Sequence, residues 1–140
     1  MARALVDTGA IVALVNRDDP HHAPAAAWFR AFRGLLLSTE AVLTETAFVL
    51  SSSPPHRDAA LAWVQRARAG GLLQIEPVAD HGDVAAILRR YASLPCDYAD
   101  ATLIELAERS GVTAIATIDQ RDFSVYRLRG GRRFRILLGS

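Results

Sequence analysis

The chain has 140 residues, of which 51% are hydrophobic and 22% charged, and its formal net charge is +1. This composition is ordinary for a soluble globular protein, and the length predicts one domain spanning residues 1–140. No apolar run reaches the ~20 residues that a membrane-spanning helix needs. A signal peptide is not expected either, because Asp7 interrupts the first apolar run. The single Cys96 cannot form an internal disulfide, which favours a reducing cytoplasm.

The basic residues are unusual in kind and in placement. All 16 are arginine, which excludes chemistry that needs a Schiff-base lysine or a phosphate-binding lysine. From Arg121 to the end there are six arginines and a single acid, Asp122. This basic end fits a polyanionic partner and an edge strand protected by charge equally well, so both interpretations stay open.

The first predicted strand ends in a carboxylate. An unbroken apolar run leads to Asp7, as expected of a strand that is buried on both faces of a sheet. In an open parallel sheet, ligands bind beyond the carboxyl ends of the strands, where Asp7 would stand. A helix is predicted over Thr8–Val15, so Asp7 is a candidate for a helix cap as well as for a site.

The next elements are a helix, a short strand and a second helix. A helix is predicted over residues 23–32, with Trp28, Phe29 and Phe32 as packing residues. Gly34 ends it, and a strand over residues 35–37 follows. Ser38 or Thr39 then caps a helix that runs to about Leu50.

This helix carries Glu45, whose neighbours one turn away are all apolar. They are Ala41, Val42, Phe48 and Val49. Residues three and four apart share a helix face, so Glu45 is predicted to lie on the buried face. A carboxylate there is costly unless it is paired, hydrogen-bonded or bound to metal. Glu45 is therefore a site candidate, with a buried ion pair to an arginine as the alternative.

The middle of the chain is predicted to be structural. A break extends through His56. It is followed by a helix over residues 58–69, a strand over residues 72–78 and a helix over residues 80–94. The last of these has one apolar stripe, formed by Val84, Ile87, Leu88 and Tyr91.

The following helix begins with two acids. Asp97 is predicted as its cap, and Asp100 suits the acidic first turn that the helix dipole favours. However, Asp100 has Leu103 and Ile104 one turn on, so it is also predicted to face the core. Farther along, Glu105 is expected at the surface, because the basic Arg109 follows it by one turn.

The last part of the chain supplies a second strand that ends in an acid. A strand over residues 112–118 leads to Asp119, residues 120–123 are predicted as a turn, and a final strand is expected over residues 132–138. Strands that alternate with helices indicate a parallel sheet with helices on both faces. The predicted fold class is α/β, a three-layer α/β/α sandwich around a central parallel sheet.

Four acids are thus expected in one place: Asp7, Glu45, Asp100 and Asp119. Unpaired, they would repel one another and raise one another's pKa values. With one or two divalent cations they become an oxygen-ligand site suited to Mg²⁺ or Mn²⁺. Such a site activates water for phosphoryl displacement, and no nucleophilic Ser or Cys motif is evident.

These residues resemble the PIN-domain family, specifically its VapC-type ribonuclease toxins. The resemblance covers nearly the whole chain, in the family's order. It lies in Leu5-Val6-Asp7-Thr8-Gly9-Ala10, Thr44-Glu45, Asp97-Tyr98-Ala99-Asp100-Ala101 and Ala116-Thr117-Ile118-Asp119 with Asp122-Phe123.

The resemblance implies a function and a set of roles. The acidic ligands carry over onto Asp7, Glu45, Asp100 and Asp119, with Asp97 and Asp122 as possible additional acids; Thr8 and Thr117 match small hydroxyl positions that orient the ligands. It also implies metal-dependent cleavage of RNA, a homodimer and a small antitoxin that blocks the site. We further expect Arg121 to contact phosphate.

Three other classes share parts of this pattern. A phospho-receiver domain needs a lysine that the chain lacks, and a phosphatase of the haloacid type wants an acid at the position of Gly9. A non-catalytic RNA-binding or scaffold module of the same fold would keep the basic end but would not need four converging acids. The sequence therefore favours the nuclease and leaves the module as the alternative.

Overall fold

Five strands form one parallel sheet in the computed structural model, which describes residues 1–138. The strands are β1 (Ala2–Val6), β2 (Gly34–Thr39), β3 (Leu73–Glu76), β4 (Ala114–Ala116) and β5 (Arg135–Ile136). Their spatial order is β3-β2-β1-β4-β5, and every neighbouring pair is parallel. The predicted α/β class with a central parallel sheet is confirmed.

Seven α-helices connect the strands within residues 1–138. They are α1 (Thr8–Val15), α2 (His22–Ala31), α3 (Glu40–Val49), α4 (Pro54–Ala69), α5 (His81–Arg90), α6 (Tyr98–Ser110) and α7 (Gln120–Val125). Because parallel strands are joined by right-handed crossovers, α1 to α4 cover one face of the sheet and α5 to α7 the other. No helix in the described part of the chain has both the length and the apolarity to cross a bilayer.

Neither face of the sheet is open to solvent where β1 and β4 pair. Leu5 and Val6 of β1 and Ile115 and Ala116 of β4 are completely buried, and they pair directly across the two strands. A parallel sheet that is covered by helices on both faces requires apolar side chains in both directions. This is why the sequence shows unbroken apolar runs, without alternation, immediately before its acids.

The strand order places a crevice at the carboxyl ends of β1 and β4. From β1 the chain moves outward to β2 and β3, and it then returns to the other side of β1 as β4. Ligands of open parallel sheets bind at such a reversal of strand order. Asp7 comes directly after β1, and Asp119 follows β4 by three residues. The topology therefore brings two acids that are distant in sequence to one edge of the sheet.

Several predicted boundaries are wrong. The helix expected from residue 58 begins at Pro54, since a proline in the first helical turn lacks only an N–H that would have no partner there. The helix expected over residues 80–94 ends at Arg90. The turn over residues 120–123 is the start of α7, which Asp119 caps. The final strand is only Arg135–Ile136, because its partner β4 is itself short.

Candidate metal centre

A cavity of about 290 Å³ opens at the carboxyl ends of β1 and β4. Its lining includes six acidic side chains and no arginine. The acids are Asp7, Glu45, Asp97, Asp100, Asp119 and Asp122. The structure thus places all six predicted acids around one space, although they come from four separate parts of the chain.

Asp7 is the most buried of the six and is held by both carboxylate oxygens. Its side chain is 6% exposed. Oδ1 accepts a hydrogen bond from the backbone N–H of Ala10 at 3.0 Å, which caps α1. Oδ2 accepts a hydrogen bond from the hydroxyl of Thr117 at 2.5 Å. The two sequence interpretations of Asp7, helix cap and site residue, are therefore compatible.

Burial makes the negative charge of Asp7 unfavourable. The pKa of Asp7 is raised from 3.8 to about 6. Desolvation is the largest cause and the nearby Asp119 carboxylate adds to it, while the hydrogen bonds from Thr117 and Ala10 oppose the rise. A positive charge nearby would stabilise the Asp7 carboxylate, and no arginine lines the cavity to supply one.

Asp100 is partly buried and depends on a residue that the sequence did not single out. The hydroxyl of Tyr126 donates to Oδ2 of Asp100 at 3.1 Å. Desolvation and the charge of Asp97 raise the pKa of Asp100 to about 7, against the opposing hydrogen bond from Tyr126. Tyr126 lies 26 residues after Asp100, and no local pattern connects the two.

Two more acids of the cavity are helix caps. The carboxylate of Asp97 accepts a hydrogen bond from the backbone N–H of Asp100 at 2.8 Å and caps α6. The carboxylate of Asp119 accepts one from the backbone N–H of Asp122 at 3.1 Å and caps α7. Each of these caps uses one carboxylate oxygen, so the role does not prevent the other oxygen from contacting a ligand.

Glu45 lines the cavity, but the prediction that it lies on a buried face of α3 is wrong. Phe48 and Val49 were expected on a buried face, and they are 74% and 48% exposed. The buried residues of α3 are Val42 and Thr46, so Glu45 lies at the margin of the buried face and is only partly buried. Its position still turns its side chain toward the other acids of the cavity.

The prediction that Glu105 lies at the surface is wrong. It is 3% exposed, and the guanidinium Nε of Arg109 lies 3.0 Å from both of its carboxylate oxygens. Arg109 also donates to the backbone carbonyl of Pro77. The pair at one-turn spacing therefore joins a buried carboxylate to a guanidinium that is 31% exposed, and it fastens α6 to the segment after β3.

The remaining predicted residues lie around the cavity. Thr8 lines it, and its hydroxyl donates to the backbone carbonyl of Val42 at 3.3 Å, which joins α1 to α3. Thr117 contacts Asp7 as described and also accepts a hydrogen bond from the backbone N–H of Asp119 at 2.9 Å. Arg121 is exposed and outside the lining, and its charge lowers the pKa of Asp122 against the larger opposing effects of desolvation and Asp119.

The donor set fits a hard divalent cation. Among residues 1–138, no three His, Cys, Asp or Glu side chains are arranged as a ready-made metal cage. The absence of such a cage is expected, because capping hydrogen bonds and mutual repulsion hold the carboxylates apart. The donors at the cavity are carboxylate oxygens, which suit Mg²⁺ or Mn²⁺, and a cation would neutralise the charges that burial disfavours at Asp7 and Asp100.

The strand order and the acidic crevice define a PIN-type α/β protein. The family model of the PIN domain matches residues 4–128. The chain belongs to the PIN-domain family, and within it to the VapC type.

One curated relative supports this assignment, and one solved structure supports the fold. Ribonuclease VapC26 of Mycobacterium tuberculosis is 30% identical over 135 residues, which cover 95% of this chain and 98% of that protein. The crystal structure of M. tuberculosis VapC20, a toxin that cleaves the sarcin-ricin loop, superposes with a TM-score of 0.73. It shares 23% identity and the match covers 86% of this chain and 92% of that one, so it supports the fold.

Proposed function

We propose that this chain is an endoribonuclease that uses Mg²⁺ or Mn²⁺ to hydrolyse phosphodiester bonds of RNA, and that it is the toxin of a type II toxin–antitoxin pair. The observation that carries the proposal is the acidic cavity at the strand reversal of a PIN-domain chain. The relative that matches 95% of the chain is named a ribonuclease, which supports RNA as the substrate.

Three acids are proposed to hold the cation: Asp7, Asp100 and Asp119. Glu45 binds the cation or positions the attacking water through its carboxylate. A divalent cation bound there supplies a water of lowered pKa and stabilises charge on the phosphate. Asp97 and Asp122 add negative charge at the entrance of the cavity, and the exposed Arg121 is proposed to contact the RNA phosphates from outside.

The chain's own contacts determine how these acids are presented. Asp7 is fixed in orientation by Thr117 on one oxygen and by Ala10 on the other. Asp100 is fixed by the hydroxyl of Tyr126. Because side chains that are already oriented lose little freedom on binding, these contacts favour cation binding in one geometry.

The proposed partners are a small antitoxin protein and a second copy of this chain. Exposed apolar side chains at the end of α3 and on α4 offer a surface for a protein partner, and they are Phe48, Val49 and Leu61. The proposal also takes residues 1–140 as one PIN-like domain that acts on RNA in the cytoplasm.

The test is cleavage of a mixed RNA pool by the purified chain, with Mg²⁺, with Mn²⁺ and with EDTA. We expect cutting that requires a cation and is abolished in Asp7→Asn and in Glu45→Gln. The matched controls are Asp58→Asn and Glu40→Gln, since both acids are exposed and neither lines the acidic cavity. If the folded, metal-loaded protein binds RNA without cutting any sequence in the pool, the non-catalytic RNA-binding module replaces the nuclease.

A further inference from the structure

Tyr98 is an exposed aromatic residue beside the acidic cavity. It is the first residue of α6, directly after the cap Asp97, and it is 48% exposed. Side chains of a helix lean toward its amino end. The ring therefore projects toward the edge of the sheet where the acids lie. Nothing in the metal chemistry proposed above uses this residue.

The Tyr98 ring borders a second cavity of about 370 Å³ between α3 and the start of α6. The lining consists of Ala41, Thr44, Glu45, Asp97, Tyr98 and Ala99. Glu45, Asp97 and Ala99 also line the acidic cavity, so the two spaces are contiguous. A substrate whose phosphate lies among the acids thus has an adjoining recess with one aromatic wall and two alanines.

The charges around this recess select what can enter it. Its two charged lining residues are the acids Glu45 and Asp97, and no arginine lines it. An RNA phosphate is repelled by such surroundings, whereas a nucleobase carries no net charge. The hydroxyl of Thr44 donates to the backbone carbonyl of Glu40 at 3.0 Å, and the remaining uncharged lining residues besides the ring are alanines, so small side chains make up the rest of the lining. A flat, neutral ring is therefore the part of a nucleotide that this recess accommodates.

We propose that Tyr98 is a stacking platform for the nucleobase next to the scissile phosphate. The inference rests on the proposed function, because it takes RNA as the substrate. Stacking tolerates any base, since every base has an aromatic face, and losing one aromatic platform weakens binding on the order of 10-fold. The recess thus contributes affinity and register at the cut site.

The first experiment measures binding without cleavage. A short fluorescein-labelled single-stranded RNA is titrated in Ca²⁺ against the wild type and against Tyr98→Ala, Tyr98→Phe and Leu72→Ala. Leu72 is the control, because it is an apolar side chain of similar exposure (55%) just before β3, at the opposite edge of the sheet. We expect about 10-fold weaker binding for Tyr98→Ala only, with the ring-retaining Tyr98→Phe close to wild type. Equal melting temperatures exclude a merely structural effect.

The second experiment uses cleavage and an RNA that lacks one base. An abasic nucleotide is placed on either side of the mapped cut site. At one of these positions we expect a loss of kcat/KM of about 10-fold in the wild type and no further loss in Tyr98→Ala, because the platform and its base form one interaction. Losses that multiply at both positions would show that Tyr98 does not contact either base.

The two experiments separate this proposal from the nuclease proposal. Tyr98-dependent binding without any cutting supports base stacking on Tyr98 and overturns the nuclease, and with it the placement of that base beside a scissile phosphate. Cutting that is unaffected by Tyr98→Ala, with unchanged binding, supports the nuclease and overturns the platform. An RNA that the wild type does not bind at all overturns the platform as well.

Discussion

The hydroxyl of Thr117 donates to Oδ2 of Asp7 at 2.5 Å and links the ends of the two central strands. The same oxygen of Thr117 accepts the backbone N–H of Asp119. One buried hydroxyl thus fixes a proposed metal ligand and the turn that carries another. It also opposes the rise that burial causes in the pKa of Asp7, because its hydrogen bond favours the charged carboxylate.

Replacing Thr117 by valine removes this hydroxyl at nearly constant volume. We expect cleavage at neutral pH to fall on the order of 10-fold, because the pKa of Asp7 rises further and protons compete with the cation. The pH–rate profile should therefore show its acidic limb at higher pH. The control is Thr117→Ser, which restores the hydroxyl and should restore both rate and profile. An unchanged acidic limb in Thr117→Val would mean that Thr117 only supports the fold.

Tyr126 offers a second test of ligand orientation, with a natural control beside it. Its ring lies 5.0 Å from the ring of Tyr91, and both residues are buried. The Tyr126 hydroxyl donates to Asp100, whereas the Tyr91 hydroxyl accepts the backbone N–H of Arg127 and donates to its carbonyl. We expect Tyr126→Phe to weaken Mn²⁺ binding about 10-fold, the size of one hydrogen bond to a charged group.

The two phenylalanine variants should separate metal binding from stability. Tyr91→Phe leaves the backbone N–H of Arg127 without its partner, so we expect a lower melting temperature and unchanged Mn²⁺ affinity. Isothermal titration with Mn²⁺ and thermal unfolding in EDTA measure the two quantities. Equal losses of affinity in both variants would contradict a specific role of Tyr126 toward Asp100.

The raised pKa of Asp100 predicts that the metal-free protein becomes more stable when this acid is removed. In the folded state the pKa of Asp100 is about 7 and its ordinary value is 3.8, so the folded chain binds more protons between these values. Stability therefore falls as the pH rises from about 4 to 7. Asp100→Asn removes this cost, and the gain at pH 8 should be about 1–3 kcal/mol, allowing for the partial exposure of the side chain.

Urea unfolding in EDTA at pH 4 and at pH 8 measures this effect. The difference between Asp100→Asn and the wild type should be small at pH 4 and large at pH 8. Added Mn²⁺ should stabilise the wild type and not the variant, since a ligand stabilises only the state that binds it. A stabilisation that is equal at both pH values would show that the charge of Asp100 is not its cause.

The sheet and the strand-end acids could be predicted because they depend on local patterns. Apolar runs that end in Asp7 and Asp119 reveal both the buried central strands and the acids that follow them. The helix of Asp97 and Asp100 was found from its capping spacing. In each case the residues that determine the feature lie next to it in the sequence.

The wrong predictions concern burial and contacts between residues that are distant in the sequence, which a local pattern does not show. Phe48 and Val49 are apolar and yet exposed, so helical spacing alone misplaced the buried face of α3 around Glu45. Tyr126, which follows α7, reaches Asp100 of α6 across 26 residues, a contact that only the tertiary fold produces. Glu105 and Arg109 have the spacing of a surface pair, and α6 is buried on nearly every side. Burial of a whole helix is a tertiary property that its periodicity does not show.

The ion pair between the buried Glu105 and the partly exposed Arg109 gives the last prediction. Arg109→Met leaves the buried Glu105 carboxylate without its cation and removes the bond to Pro77, so we expect a loss of about 1–3 kcal/mol in the free energy of unfolding, less than for a pair with both members buried. Glu105→Leu with Arg109→Met should recover most of that loss, because apolar residues of similar volume often replace such a pair well. Urea unfolding at pH 7.5 measures all of the variants. A double variant no more stable than Arg109→Met would show that the bond from Arg109 to Pro77, and not the ion pair, holds α6 beside the segment after β3.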